Sequence, residues 1–494
     1  MRNRILIIGL VVTAVLAIFV STQQVMLSAI GVTVTPEHDT YLPLVEKTDA
    51  TPTPTPTPGP TPIYPVTPWI EQSTITISSY QYDHPDCLRP TDPGDFVYPY
   101  PRINHDCVFQ KPKIDRVFQA ITLQNRYVSL TVLPELGGRL YQWQDKITGR
   151  QLLYNNPVLK PTAWGWRGWW LASGGIEWAF PTDEHGLNEY RPWTASTQTL
   201  TDTVFITVSD MEDQTDMEVG FTISLDADHA YMTIEPWVQN DTAVSHTYQY
   251  WLNAMIALDD NHTSNQTEFI VPASQIIIHS EGDPNLPGEQ SVISWPVYNG
   301  RNLSWYDNWN GWIGFFAPEV TDGFTGIYDH KWDQGVVRTF DPALVPGHKF
   351  FGPDTLSSSL WTDDDSNYVE MWGSGVTADF WTYTSLNAGQ TITWTEKWYP
   401  VAGIGGFQKA NEQAAVRLTD TGSGAEIGAA VTAVTTGTIT LYVNNSPAQT
   451  WPVTLSPGLP FLTNWERPSG LDGTLGLRLV DEMAVSLIET GLVP

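Results

Sequence analysis

The sequence predicts an all-β protein dominated by one large β-sandwich, and three observations predict it. From about Thr74 to Val401, apolar residues recur at every second position, the period of a half-buried strand. Gly, Pro, Asn and Asp interrupt these runs where turns are needed. Helical periodicity is nearly absent, apart from a short candidate helix at Lys409 to Leu418.

Taken in order, the chain opens with "MRNRILIIGLVVTAVLAIFVST", in which Arg2 and Arg4 precede an unbroken apolar run from Ile5 to Val20. Residues 1–22 read as a signal peptide or an N-terminal membrane anchor. No small-x-small cleavage site follows, which favours the anchor, and the two arginines keep that end cytoplasmic. Residues 23–65 form an extracellular linker whose Thr-Pro repeat, "ATPTPTPTPGPTP", is an extended spacer. At ~3 Å per residue it holds the next domain tens of Å away. Residues 66–415 form the large sandwich. "VSLTV" puts Val128, Leu130 and Val132 on one face, and "VGFTISL" does the same with Val219, Phe221, Ile223 and Leu225. Residues 416–494 change texture: they are rich in Thr, Gly and Val, and "TITLYV" alternates before an "NNS" turn. A small sandwich of immunoglobulin-like size is expected there, in a structural or spacing role.

Charge and composition narrow the partners. With 24 basic against 54 acidic residues the net charge is −30, which repels a phosphate backbone or a polyanion. Nucleic acid is therefore excluded as a partner, and contact with a membrane falls to the N-terminal segment alone. The chain carries 22 Trp, 20 Tyr and 17 Phe but few charges, which suits a neutral polar ligand. Its two cysteines, Cys87 and Cys107, make no zinc pattern; in an exported chain one disulfide between them is the simple reading.

The residues that could carry chemistry cluster in a few stretches. "LPELGGRLYQWQDKITG" reads as a β-hairpin with a glycine pair, and its Arg139 is either a ligand-binding cation or, as spacing favours, a buried salt-bridge partner. "GWRGWWLASGGIEWAFPTDEHG" combines Trp166, Arg167, Trp169, Trp170 and Trp178 with Glu177 and His185. Indole faces stack against the C–H face of a sugar, while carboxylates and arginine read its hydroxyls. The mixture thus matches a carbohydrate; the alternative is a core that uses tryptophan as filler, with Glu177 in a structural ion pair. Glu177 lies between Ile176 and Trp178, so desolvation is expected to raise its pKa towards neutrality. "IYDHKWDQG" offers His330 as a second proton-transfer group. "NYVEMWGS" sets Glu370 in an apolar strand with Trp372 on its own face. The acidic clusters at 259–261 and 363–365 lack the spacing of a calcium loop and read as solvated turns, and no metal or cofactor is expected.

In their order along the chain, "LPELGGRLYQWQDKITGRQLLYNNPV", "GGIEWAFPTDEHG", "YQYWLNAMIALDD", "YDHKWDQG", "PGHKFFG", "YVEMWGS" and "WTEKWYPVAGIGG" resemble the bacterial family called domain of unknown function 5107. That family is in turn similar to the galactose-mutarotase-like supersandwich. The resemblance covers roughly residues 115–415 and implies a sugar-binding cleft on one concave sheet. In aldose epimerases a late strand carries the general-base glutamate, and Glu370 matches that place. Their acid is a histidine in a central strand, where this chain has Asn253 of "YWLNAM". The acid then falls to His185, His330 or Glu177. The resemblance implies an extracellular carbohydrate-active protein, epimerase-like or glycosidase-like, or else a non-catalytic glycan-binding module on a stalk. A third reading, an envelope protein with no small ligand, requires the aromatic cluster to be wholly buried.

Overall fold

The computed structural model describes residues 67–492. The expected signal or anchor segment and the whole of the linker lie outside them. Among the described residues no helix is long and apolar enough to cross a membrane.

Two antiparallel-dominated sheets, of thirteen and nine strands, enclose one core. Val128, Leu130 and Val132 line it from the larger sheet; Val219, Phe221, Ile223 and Leu225 line it from the smaller. The period-two pattern therefore reports the inner face correctly. Burial of apolar side chains from both sheets is the main stabilising term.

The centre of the large sheet sets up the site. Its adjacent strands are, in order, Ile313–Phe316, Gly347–Gly352, Val369–Ser374, Trp251–Ile256, Ile176–Ala179 and Arg139–Asp145. Register places Phe316, Lys349, Trp372, Asn253 and Glu177 in one cross-strand row. Directly paired residues point to the same face, so this row is a polar seam on the face turned away from the core. The intervening residues, Phe315, Phe350, Met371, Leu252 and Ile176, enter the core instead. Every residue of Trp251–Ile256 and Val369–Ser374 is buried, so these strands are covered on both faces. This is why they read in sequence as near-continuous apolar runs broken by single polar residues.

Cys87 and Cys107 are joined by a disulfide. It ties a short 3-10 turn, Pro85–Cys87, to the six-residue helix His105–Gln110. The helix expected at Lys409 to Leu418 is absent. Two strands, Lys409–Ala410 and Ala414–Asp420, take its place and start the C-terminal domain. Small side chains in this stretch serve packing: Ala414 and Val416 pack into the small domain, while Ala415 joins the cluster of Tyr399 and Phe407 on the other face. Tertiary burial thus overrides local propensity. Two four-stranded sheets complete this small sandwich. It packs on the outer face of the nine-stranded sheet, where Tyr399 donates its hydroxyl to the carbonyls of Asn411 and Ala414.

Trp178 is fully buried and stacks on Phe221 across the sandwich, 3.8 Å between ring centroids. Replacing it by alanine should lower the unfolding free energy by about 3–5 kcal/mol. Denaturant titration of Trp178→Ala measures this.

Candidate functional site

Gly174 and Gly175 create the site's local geometry. Both have φ near +80°, at 79° and 76°, a conformation that favours glycine. A Cβ on Gly174 would lie 2.1 Å from the Tyr154 carbonyl oxygen, and one on Gly175 2.5 Å from that of Leu140. The pair lets the strand Trp170–Gly174 break and restart as Ile176–Ala179, which delivers Trp170 and Glu177 to the same place.

There the Glu177 carboxylate collects four donors. Oε2 accepts from Arg139 Nη1 at 2.9 Å and from Trp170 Nε1 at 2.8 Å. Oε1 accepts from His185 Nδ1 at 2.5 Å and from Asn253 Nδ2 at 3.0 Å. Burial alone would raise this carboxyl. The charge and hydrogen bond of His185, then Arg139 and Trp170, outweigh it and hold the pKa at about 2. The sequence-based expectation of a raised pKa is thereby overturned, because desolvation acts together with a full set of donors. Glu177 is a fixed anion, and the proton-transfer role expected of it does not fit.

Its consequence is felt at His185, on the turn after the strand. Burial favours the neutral ring, but Glu177, Glu370 and Glu184 more than offset it and raise the pKa above the usual histidine value. The ring stacks on Trp170 at 3.9 Å and lies 5.8 Å from Trp372. Glu370 stands on the same face, two residues before Trp372. It accepts from Trp372 Nε1 at 2.7 Å and pairs with Lys349 Nζ at 3.5 Å. Lys349 lies 4.2 Å from the Trp372 ring centroid. Burial pushes its ammonium below the usual lysine range, while Glu370 and Glu184 pull it back up. Glu184 is half-buried with φ at +55°, strained for a glutamate. Burial, then Asp183, raises its carboxyl.

Of the four expected proton-transfer residues, the structure brings together Glu177, His185 and Glu370. His330 does not join them. It follows the strand Phe324–Asp329 of the other sheet, bonded to Glu268 at 2.9 Å and stacked on Trp305. Several expected sugar contacts also have other tasks. Trp178 faces the core. Arg167 forms a buried ion pair with Glu189 at 2.7 Å and covers Trp169. The faces of Trp170 and Trp372 are occupied by His185 and Lys349. Arg139 and Asn253 do reach the site, though as holders of Glu177. Trp166 lies at the surface, 38 % exposed. Lys349 and Glu184 join the site without having been among the expected residues. Lys349 carried a signal all the same: a lysine between His348 and Phe350 in "GHKFFG", an ionisable group in an apolar strand like Glu370.

The model of the family named domain of unknown function (DUF5107) matches residues 94–401, more than half of the chain. The chain belongs to that family. The model of the YphG-like protein, second domain, matches residues 409–489. Among solved structures, this DUF5107 member is similar to a TPR-domain containing protein from Parabacteroides distasonis, with 21 % identity and a TM-score of 0.59 over 67 % of this chain. The chain spans 55 % of that protein's length, and the likeness is one of fold. Looser matches include a putative aldose 1-epimerase from Klebsiella pneumoniae, at 11 % identity and a TM-score of 0.42, covering 67 % of this chain and 91 % of that one. A galactose mutarotase-like protein from Lactobacillus casei matches at 11 % identity and 0.37, covering 57 % and 99 %.

Removing the Glu177 charge strands Arg139 and His185 in a buried setting. Glu177→Gln should cost about 3–5 kcal/mol of stability. Glu370→Gln should cost less, because Lys349 can neutralise by losing its proton and a glutamine oxygen still accepts from Trp372. Denaturant unfolding of both variants checks the order. The pH dependence has two limbs. Glu177, depressed to about 2, contributes stability that is full above its unfolded value of about 4.3 and is lost as pH falls towards 2. His185, raised, contributes stability that is full below about 6.5 and is lost as pH rises through its folded value. The gap in stability between the wild type and Glu177→Gln should therefore be widest between about pH 4.5 and 6.5.

Proposed function

We propose that this protein handles neutral carbohydrate at the outward face of its large sheet, and that His185 and Glu370 exchange protons with a bound sugar there. The observation that carries this is the convergence of His185, bonded to Glu177 and raised by it, with a second carboxylate, Glu370, beside Lys349. An acid and a base on one face are what opening a cyclic sugar requires. In the proposed step Glu370 takes the proton of the anomeric hydroxyl and His185 gives one to the ring oxygen. The C1–O5 bond breaks as the C1=O1 carbonyl forms. Closure on the other face of the carbonyl returns both protons and yields the opposite anomer. Lys349 balances the charge on Glu370. The sequence resemblance to mutarotase-like proteins, with Glu370 in the place of the base, supports this reading. Glycoside cleavage by a Glu177–Glu370 pair is disfavoured, since both oxygens of Glu177 are committed to donors.

A non-catalytic glycan binder is the second reading. What favours it is that Glu370 already holds Trp372 and Lys349 and is only 4 % exposed. For location, the apolar N-terminal run, the Thr-Pro spacer and the disulfide together support an exported, surface-anchored protein.

Polarimetry of freshly dissolved α-D-glucose, α-D-galactose and α-D-xylose separates the two. Enzymatic proton transfer predicts faster mutarotation, reduced at least about 100-fold in Glu370→Gln and His185→Gln. A binder shows no acceleration and keeps its glycan affinity in Glu370→Gln. Absence of both turnover and binding contradicts the carbohydrate reading.

A further inference from the structure

Beside the turn that carries His185 lies a concavity of about 170 Å³, lined by Phe96, Trp166, Thr182, Gln214, Thr247 and Tyr383 among others. We propose that it is a subsite for a further sugar residue, so that the substrate class of the site is neutral oligosaccharide rather than free hexose. This rests on the carbohydrate reading above and extends it.

The lining has the composition such a ligand needs. Phe96 and Trp166 meet edge to face, 5.3 Å between centroids at 80°, and form a corner of two ring planes. Phe96 is 60 %, Tyr383 40 % and Trp166 38 % exposed, unlike the buried indoles around Glu177. Between the rings stand Thr182, Thr247, Gln214 and the Tyr383 hydroxyl. Gln214 spends its Nε2 on the carbonyls of Phe96 and Tyr98, at 2.7 and 3.0 Å, which turns its amide into a fixed part of the wall. No Asp, Glu, Lys or Arg lines the concavity. Ring faces with neutral hydroxyl and amide groups suit an uncharged polyol, and the net charge of −30 disfavours an anion.

The concavity lies next to the proton-transfer site along the chain. Pro181 and Thr182 belong to its wall, and Glu184 and His185 follow in the same turn. Only Asp183 and Glu184 separate Thr182 from His185, so three Cα–Cα steps span at most ~11 Å even when extended. Asp183, two residues before His185, fixes two walls of the concavity by accepting at Oδ1 from Tyr383 at 2.7 Å and from Thr182 at 2.9 Å. A sugar stacked on Trp166 is therefore within a residue or two, along a glycan, of the sugar at His185.

Calorimetric titration of the full chain tests this. The probes are glucose, galactose and xylose, and the gluco-, galacto- and xylo-oligosaccharides of two to five residues. The expected result is at least tenfold tighter binding of one oligosaccharide series than of its monosaccharide, and loss of that gain in Trp166→Ala with monosaccharide affinity unchanged. Phe96→Ala serves as a second variant if Trp166→Ala lowers the melting temperature. Equal affinity for short and long sugars, or a length gain that both variants leave intact, overturns the subsite and leaves the proposed function standing. Failure of sugars of every length, monosaccharides included, overturns both.

Discussion

The structure around the site depends on one buried anion. Glu177 sits in the middle of a thirteen-stranded sheet with no exposure, a position where an isolated carboxylate would neutralise itself. Four donors from four different parts of the chain keep it charged: Arg139, Trp170, Asn253 and His185. Each donor is placed by a separate structural device. Arg139 comes from the neighbouring strand, Asn253 from the strand on the other side, Trp170 from across the Gly174–Gly175 break, and His185 from the following turn. Coulomb attraction at short range in a poorly solvated setting is what makes this arrangement strong, and what makes losing any member costly.

The same chain builds a second buried carboxylate in a similar way, and the contrast is informative. Glu396 accepts from Arg338 Nε and Nη2 at 2.7 and 2.8 Å, and from the indoles of Trp394 and Trp398 at 3.0 Å each. Arg338 also meets His348, whose pKa is driven well below normal by burial and by the arginine. This network lies inside the sandwich, and its histidine is pushed towards the neutral form. At Glu177 the histidine is bonded to the anion directly and is pulled the other way, towards the charged form. Two networks of similar composition thus push their histidines in opposite directions, and only the one at Glu177 stands beside further carboxylates, Glu370 and Glu184.

Much of the fold was legible in the sequence, because period-two alternation follows directly from which residues face the core. Val219, Phe221, Ile223 and Leu225 show this plainly. Legibility failed where a short-range signal met a long-range demand. Local periodicity from Lys409 to Leu418 spoke for a helix, yet small side chains such as Ala414 and Ala415 were needed there to pack two domains together. The site was partly legible: an ionisable residue in an apolar strand pointed to Glu177 and Glu370, and the same signal stood unread at Lys349. What sequence does not carry is the partner list. Whether a buried carboxylate is raised or lowered depends on donors supplied from residues 139, 170, 185 and 253, and only their convergence decides it. His330 shows the converse, since local character resembling that of His185 leads to the rim of the other sheet.

The account stands on His185 being held protonated by Glu177. Histidine-selective NMR titration, with the resonance assigned by its loss in His185→Gln, measures this directly. The account predicts that His185 titrates above the ordinary value of about 6.5. A His185 resonance that titrates at or below that value would contradict it, for the site would then offer no poised acid and Glu177 would be an ordinary element of the packing.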